Sequence, residues 1–280
     1  MHYNIGFFDF SEQVLLGNVS IHWMKHCYQD RFFADPFILD ISKDEIYVLV
    51  EELFYKDWRG RITLLTVDRD TYLLKQRKVL LDLDTHLSFP FIYRTDMGIY
   101  VIPENSASGV LNAYQFDENN EKLVWKSTLV EQPVIDPIII QRDNQYLLFG
   151  SLPGKKEHEN LFVWQSLDLL KGYKRVVQKP LIVDRPDCAR RGGDFFTFNN
   201  VLYSAVQSCV YSYGEALRLC RVNKISSTDL DEEEVAVLYP DQSYPNGLHT
   251  FNCYKGMCVV DGLTYWFDPI RKIISVINRK

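Results

Sequence analysis

A two-strand unit recurs five times along the 280 residues, and this repetition limits the fold more than any other feature. Each copy is an apolar strand opening at Pro or Gly, a polar turn, and a second apolar strand that ends in a polar residue. The first copy reads Ala34-Asp35-Pro36-Phe37-Ile38-Leu39, turns at Ser42-Lys43-Asp44, and returns as Ile46-Tyr47-Val48-Leu49-Val50-Glu51. The second pairs Ser88-Phe89-Pro90-Phe91-Ile92-Tyr93 with Ile99-Tyr100-Val101-Ile102-Pro103-Glu104. The third pairs Ile135-Asp136-Pro137-Ile138-Ile139-Ile140 with Tyr146-Leu147-Leu148-Phe149-Gly150-Ser151, across Asp143-Asn144. The fourth runs from Arg191-Gly192-Gly193-Asp194-Phe195-Phe196 through Asn199-Asn200 to Leu202-Tyr203-Ser204-Ala205-Val206-Gln207. The fifth, more worn, runs from Leu248-His249-Thr250-Phe251-Asn252 through Lys255-Gly256 to Met257-Cys258-Val259-Val260-Asp261.

The copies open near residues 35, 89, 136, 191 and 249, a spacing of roughly fifty residues and the scale of a four-stranded propeller blade. Further apolar runs at 61–67, 111–116, 161–165 and 216–222 supply outer strands. Long amphipathic periodicity is missing; only 166–172 and 226–235 suggest a short helical turn or a loop. The expected fold is all-β, a five-bladed β-propeller, with residues 1–280 as one domain. Either the run 3–8 or the run 272–278 completes the last blade, because closure removes exposed edges. The competing architecture is a β-sandwich with chance similarity among its hairpins.

Composition narrows the function. Aromatic residues reach 14%, which favours strands. Charge is 31 basic against 37 acidic residues, net -6, so a general nucleic-acid binder is excluded while a local basic pocket is not. No apolar run is long enough for a transmembrane helix, and residues 1–10 lack a signal-peptide pattern. The six cysteines form no CxxC pair, so they read as free thiols and no zinc site is expected. These features together point to a cytoplasmic protein. His22 and His26, with Cys27 beside the second, resemble a helical i, i+4 ligand pair, but nothing completes a ligand set and they read as structural.

In a propeller the innermost strands start at the central channel, so the head of each copy aims at one mouth. Those heads carry Asp35, Ser88 with Phe89, Asp136, Arg190 with Arg191, and His249. An Asp before Pro is pushed toward extended backbone, which would turn its carboxylate to the channel while the strand departs. Apolar strands have little structural need for a carboxylate at their head. Two adjacent arginines before Gly-Gly bring guanidinium donors and backbone amides together, a combination suited to phosphate or carboxylate. Alternation sends only one of them to the pocket. An internal ion pair with Asp35, Asp136 or Asp187 is the competing use. His249 could bind a hydroxyl, act as acid or base, or simply hydrogen-bond in the core. Glu104, ahead of the flexible Asn105-Ser106-Ala107-Ser108-Gly109, sits at a rim loop. Glu51, Glu52 and Glu215 read more simply as solvated strand ends. Phe33, Phe89 and Tyr93 could stack on a sugar, against a default of core packing.

Phe33-Ala34-Asp35-Pro36-Phe37-Ile38, with Ile135-Asp136-Pro137, resembles the five-bladed furanosidase-type propeller of family 43 glycoside hydrolases. A closer resemblance covers nearly the whole chain. It is to the propeller at the N-terminus of plant glucosamine inositolphosphorylceramide transferases and their bacterial relatives of cell-surface polysaccharide synthesis. The runs that carry it are Ala34-Asp35-Pro36-Phe37, His86-Leu87-Ser88-Phe89-Pro90-Phe91, Ile102-Pro103-Glu104, Ala189-Arg190-Arg191-Gly192-Gly193, Gln207-Ser208-Cys209 followed by Tyr213-Gly214, and Gly247-Leu248-His249-Thr250-Phe251-Asn252.

The family 43 resemblance implies Asp35 as base and Asp136 as the aspartate that tunes the acid. It also implies a Glu followed by Gly-Pro at a later blade, where this chain has Arg190-Arg191-Gly192-Gly193 instead. That departure favours glycosyl transfer over simple hydrolysis. The expected substrate is a sugar or sugar-phosphate with an anionic group held by Arg190 or Arg191. Asp35, Asp136, Glu104 and His249 would be catalytic, and Ser88 and Phe89 would line the site. No cofactor or metal is expected, and partner enzymes of a polysaccharide pathway are. A hydrolase using Glu104 as acid and a non-catalytic glycan-binding propeller are the alternatives.

Overall fold

The computed structural model describes residues 1–265. Strands β1 (His2–Asp9) and β2 (His22–Trp23) open the chain. Blade 1 contains β3 (Arg31–Ile41), β4 (Glu45–Phe54), β5 (Arg59–Asp68) and β6 (Leu74–Leu81). Blade 2 contains β7 (Ser88–Thr95), β8 (Gly98–Glu104), β9 (Leu111–Asp117) and β10 (Lys122–Val130). Blade 3 has three strands, β11 (Ile135–Arg142), β12 (Gln145–Ser151) and β13 (Phe162–Ser166). Its outer position is filled by isolated bridges, Gln165 to Lys174 and Leu161 to Ile182. Blade 4 contains β14 (Phe196–Phe198), β15 (Val201–Ser208), β16 (Ala216–Ile225) and β17 (Leu230–Leu238). Blade 5 contains β18 (Phe251–Tyr254) and β19 (Met257–Thr264), completed by β1 and β2. The fold is a five-bladed β-propeller.

The ring closes through the N-terminal strand. β1 pairs with β19 over its whole length, from His2 opposite Thr264 to Asp9 opposite Met257. The alternative closing run, 272–278, lies outside the described residues. Strands covered by neighbours on both faces lose the alternating pattern, so the innermost strand of blade 1, β3, and the third strand of blade 5, β1, are buried along almost their whole length. Aromatic and β-branched side chains fill the wedges between blades. Phe37 meets Phe89 at 5.0 Å between blades 1 and 2, Phe149 meets Phe195 at 5.9 Å between blades 3 and 4, and Phe196 meets Phe251 at 5.4 Å between blades 4 and 5. Full burial of each such ring contributes about 1.5–3 kcal/mol.

Three hairpins turn where the sequence places Asp143-Asn144, Asn199-Asn200 and Lys255-Gly256. Both central residues have positive φ in each, from 48° to 79°, as two-residue type I′ turns require. Two local expectations fail. Residues 226–235 are not a helical turn: β17 begins at Leu230, because β16 needs an outer partner. His22 and His26 are not on a helix. His22 lies in β2 and stacks on Tyr72, while the His26 ring packs edge-on against Phe33. No helix among the described residues is long and apolar enough to cross a membrane.

Strand direction defines two faces. Heads of the inner strands and tails of the second strands meet at one face, here called the mouth. The turns at 55–58, 105–110, 152–161 and 209–215 lie on it as well.

Candidate active site

Three inner strands share one backbone device at the mouth. Asp35, Phe89 and Asp136 each precede a proline, and their φ angles are 50°, 42° and 47°. The extended backbone expected before proline is therefore not what forms. Each residue sits instead in a bulge, where pairing skips from Ala34 to Phe37, from Ser88 to Phe91 and from Ile135 to Ile138. Left-handed backbone costs a non-glycine residue of order 1–3 kcal/mol. The surroundings hold it by capturing each displaced amide. Asp35 N donates to Asp261 Oδ2 at 3.0 Å, Phe89 N to Asp35 Oδ2 at 3.1 Å, and Asp136 N to Glu104 Oε2 at 3.1 Å. In every case the accepting carboxylate comes from the preceding blade.

Asp35 belongs to an acid–histidine cluster between blades 1 and 5. Thr250 Oγ1 donates to its Oδ1 at 2.9 Å, and His249 Nε2 lies 3.4 Å from the same oxygen. On the other side of the imidazole, Nδ1 lies 2.7 Å from Asp261 Oδ2, though off the line of an aligned hydrogen bond. Asp261 also accepts the amides of His249 at 3.1 Å and Thr250 at 3.0 Å. Burial pushes the Asp35 carboxyl up to about 7, against the lowering effect of His249. For His249, burial favours the neutral form, but the charges of Asp261 and Asp35 outweigh it and raise the imidazole to about 9.

Asp136 has different company. Its Oδ2 accepts Arg190 Nε at 2.6 Å and Gln207 Nε2 at 2.8 Å. Arg190 Nη1 reaches His158 Nδ1 at 2.9 Å, and its guanidinium lies over the Tyr213 ring, 4.9 Å from the centroid. Tyr213 in turn meets His249 edge to face at 5.3 Å. One phenol ring thus joins the Asp136 cluster to the Asp35 cluster. Gly214 beside it has φ 60°, and a Cβ there would lie 2.5 Å from His249 Cβ, so only glycine allows this approach.

Glu104 completes the group. Its Oε1 accepts Ser106 Oγ at 3.0 Å, while burial and then the charge of Asp136 push its carboxyl up to about 8. Across the mouth Glu51 Oε1 lies 3.2 Å from His86 Nε2, whose Nδ1 accepts the Gly60 amide at 3.0 Å.

Most of the expected residues converge. Asp35, Asp136, Glu104, Arg190 and His249 lie in one connected cluster, and Ser88 stands opposite Glu104 in the β7–β8 register. Two expectations are corrected. Arg191 points away from the mouth and is fully buried, donating to Glu232 Oε1 at 2.8 Å and to the Cys188 carbonyl at 2.7 Å. Adjacent strand positions alternate, and the Gly192-Gly193 segment serves packing: a Cβ on Gly193, at φ 152°, would sit 1.9 Å from the Phe251 carbonyl. Phe89 is likewise fully buried against Phe37; its amide, not its ring, serves the site. Sequence reading missed Asp261, Thr250, Gln207, Tyr213, His158 and the Glu51–His86 pair. The repeat itself held the signal for some of them. Glu51, Glu104, Gln207 and Asp261 are the polar residues that end the second strand of their copies.

Asp35, His249 and Asp261 present ligand-type atoms within 4.8 Å of one another, a metal-binding spacing. Most of the carboxylate oxygens already accept amides or a hydroxyl, and Asp35 and Asp261 flank the imidazole on its two sides. The mouth is also nearly closed: Asp35, Asp136, Arg190 and His249 are 4–7% exposed. Larger cavities, of about 590 Å³ beside blade 3 and 420 Å³ beside blade 4, are lined by none of these residues. Convergence of buried polar groups marks the site, not cavity size.

The model of a family described as "Glucosamine inositolphosphorylceramide transferase 1, N-terminal" matches residues 19–257. The chain belongs to this family. Glucosamine inositolphosphorylceramide transferase 1 of Arabidopsis thaliana is 29% identical over 211 residues, which are 73% of this chain and 27% of that protein. Its counterpart in Oryza sativa subsp. japonica is 26% identical over 212 residues, 74% of this chain and 28% of that protein. The chain therefore spans little more than a quarter of these family members. Among solved structures, the catalytic domain of the Coprinopsis cinerea GH62 α-L-arabinofuranosidase superposes with a TM-score of 0.62 at 10% identity, covering 86% of this chain and 88% of that one. A family 117 glycoside hydrolase of Zobellia galactanivorans gives 0.59 at 10% identity over 98% of both chains. At such identity the likeness is one of fold.

Proposed function

We propose that the mouth is a glycosyl-handling active site, and that the chain acts in glycosyl transfer during cell-surface polysaccharide or glycolipid synthesis. The observation that carries this reading is the joining of Asp35 and Asp136 through His249, Tyr213 and Arg190 at one end of the channel. Asp35, with its carboxyl raised toward neutrality, accepts a proton from the attacking hydroxyl; His249 and Thr250 orient it. Asp136 fixes Arg190. The Arg190 Nη2 has no acceptor among the described residues and is the donor left for an anionic group on the substrate. A cytoplasmic setting with partner enzymes of the same pathway is part of this proposal.

One observation favours a second reading, furanosidase-like hydrolysis. Burial and the charge of Asp136 raise the Glu104 carboxyl to about 8, the direction a general acid requires. The two readings separate in one assay with purified protein. Transfer releases nucleotide from an activated sugar in the presence of an acceptor; hydrolysis releases reducing sugar from a furanoside with no activated donor. In either case Asp35→Asn lowers turnover by roughly a hundredfold or more. Full turnover by that variant would remove Asp35 from the chemistry. Saturable glycan binding with no product would instead make the propeller a binding module.

A further inference from the structure

Trp58, on the mouth face, combines an exposed large ring with a strained backbone. It is 54% exposed, although a large apolar ring at a turn tip gains nothing from water. Its φ is 49°, a left-handed conformation that is strained for a bulky side chain. An exposed indole and a strained backbone at the same residue are two separate costs, set against a single ring contact among the described residues, with Tyr55. Such an outlier points to use.

The local structure holds the indole as a flat surface. The turn is closed by Trp58 N donating to the Phe54 carbonyl at 2.9 Å, while Tyr55 N donates to the Asp30 carbonyl at 2.9 Å. The Tyr55 hydroxyl is pinned at 2.7 Å from His2 Nδ1. Trp58 lies near-parallel to Tyr55, with centroids 6.0 Å apart and planes 29° from coplanar. From this pair a row of rings leads to the catalytic cluster. Tyr55 meets Phe32 at 6.2 Å, Phe32 meets Tyr3 at 5.3 Å, and Tyr3 meets His249 at 4.9 Å. The pair therefore stands on the same face as the mouth, four ring contacts from His249.

We infer that Tyr55 and Trp58 form a stacking platform for a sugar ring of an oligosaccharide that extends from the mouth. An aromatic face is electron-rich, and the C–H groups on the apolar face of a sugar ring carry the complementary partial charge. A neutral glycan of several units is the ligand class, because the two rings offer area and the exposed Lys56 and Asp57 of the same turn, opposite in sign, leave no net charge between them. The inference rests on the glycosyl-handling reading of the mouth and names its remote subsite.

The test uses the whole chain on a printed array of defined neutral oligosaccharides, with affinities for the bound members measured by calorimetry. Trp58→Ala weakens binding of those members by roughly tenfold, and Trp58→Phe recovers most of it. Trp58→Gly relieves the strained φ, so it raises the melting temperature while losing the same affinity. The array reads binding alone, with or without turnover at the mouth, which separates this inference from the chemistry there. Binding that is unchanged in Trp58→Ala, or an array with no Trp58-dependent member, overturns the platform. A melting temperature that falls in Trp58→Gly would make the indole a packing element. Trp58-dependent association with anionic lipid vesicles, in place of glycans, would assign the surface to a membrane.

Discussion

Asp35 and Asp136 occupy the same place in blades 1 and 3, yet their surroundings differ. Both precede proline, both sit in a bulge with φ near 50°, and both heads are held by a carboxylate of the preceding blade. From there the environments part. Asp35 faces a histidine shared with a second aspartate, so its charge is only partly compensated. Asp136 faces a permanent cation at 2.6 Å and an amide at 2.8 Å. One backbone device thus delivers two carboxylates, and neighbours from other blades divide their roles. Asp35 is suited to move a proton; Asp136 is suited to hold an arginine.

The largest expected effect breaks the Asp136 side. Arg190→Met removes the only cation paired with the buried Asp136 carboxylate among the described residues, and lowers stability by about 3–5 kcal/mol in urea denaturation. Loss of less than about 1 kcal/mol would mean that Asp136 does not depend on Arg190.

The next effect tests the shared glycine contact. Gly214→Ala places a methyl group where His249 stands and forces a left-handed alanine, at a cost of roughly 1–3 kcal/mol. Turnover falls further than stability alone predicts, because His249 must move. Normal turnover in a folded Gly214→Ala protein would show that the Tyr213–His249 contact is dispensable.

A pH series sharpens the Asp35 side. His249 is raised from 6.5 to about 9, so its contribution to stability is complete below about 6.5 and lost as pH rises through 9. Asp35, raised from 3.8 to about 7, has the same sign: the fold favours the protonated form, and stability declines as pH climbs from about 4 to 7. Denaturation midpoints of the wild type should fall from pH 5 to pH 9, by at most about 1.4 kcal/mol per pH unit for each proton. In His249→Asn the decline above pH 7 should flatten. Identical slopes in the two proteins would contradict the raised imidazole.

At the small end, Lys255→Ala removes an exposed ion pair with Asp40 on the opposite face, where both side chains are more than half exposed. No measurable change in midpoint is expected, since water screens such a pair. A clear loss would blur the distinction between this pair and the buried one at the mouth.

Much of this architecture was legible in the residues. The repeat gave blade number, order and the aligned heads Asp35, Asp136 and His249, because a strand's period and turn chemistry are local. Its tails were equally regular, but Asp261 and Gln207 looked like ordinary strand ends until the ring closed and brought blade 5 against blade 1. Arg190 and Arg191 could not be told apart, since alternation says only that they point oppositely and not which one faces the channel. The backbone before proline was misjudged for a tertiary reason. Carboxylates from neighbouring blades capture the amides of Asp35 and Asp136 and sustain a conformation that local sterics disfavour. Trp58 gave no signal at all, because strain at a turn is visible only in the backbone angles.

The division of roles between the two aspartates is tested most directly by following the His249 imidazole through a nuclear magnetic resonance titration in three proteins. In the wild type it should titrate near 9. Asp35→Asn should lower that value markedly, and Asp136→Asn should lower it much less, because of these two aspartates Asp35 alone lies against the ring. A wild-type value near 6.5, or equal shifts in the two variants, would contradict the account.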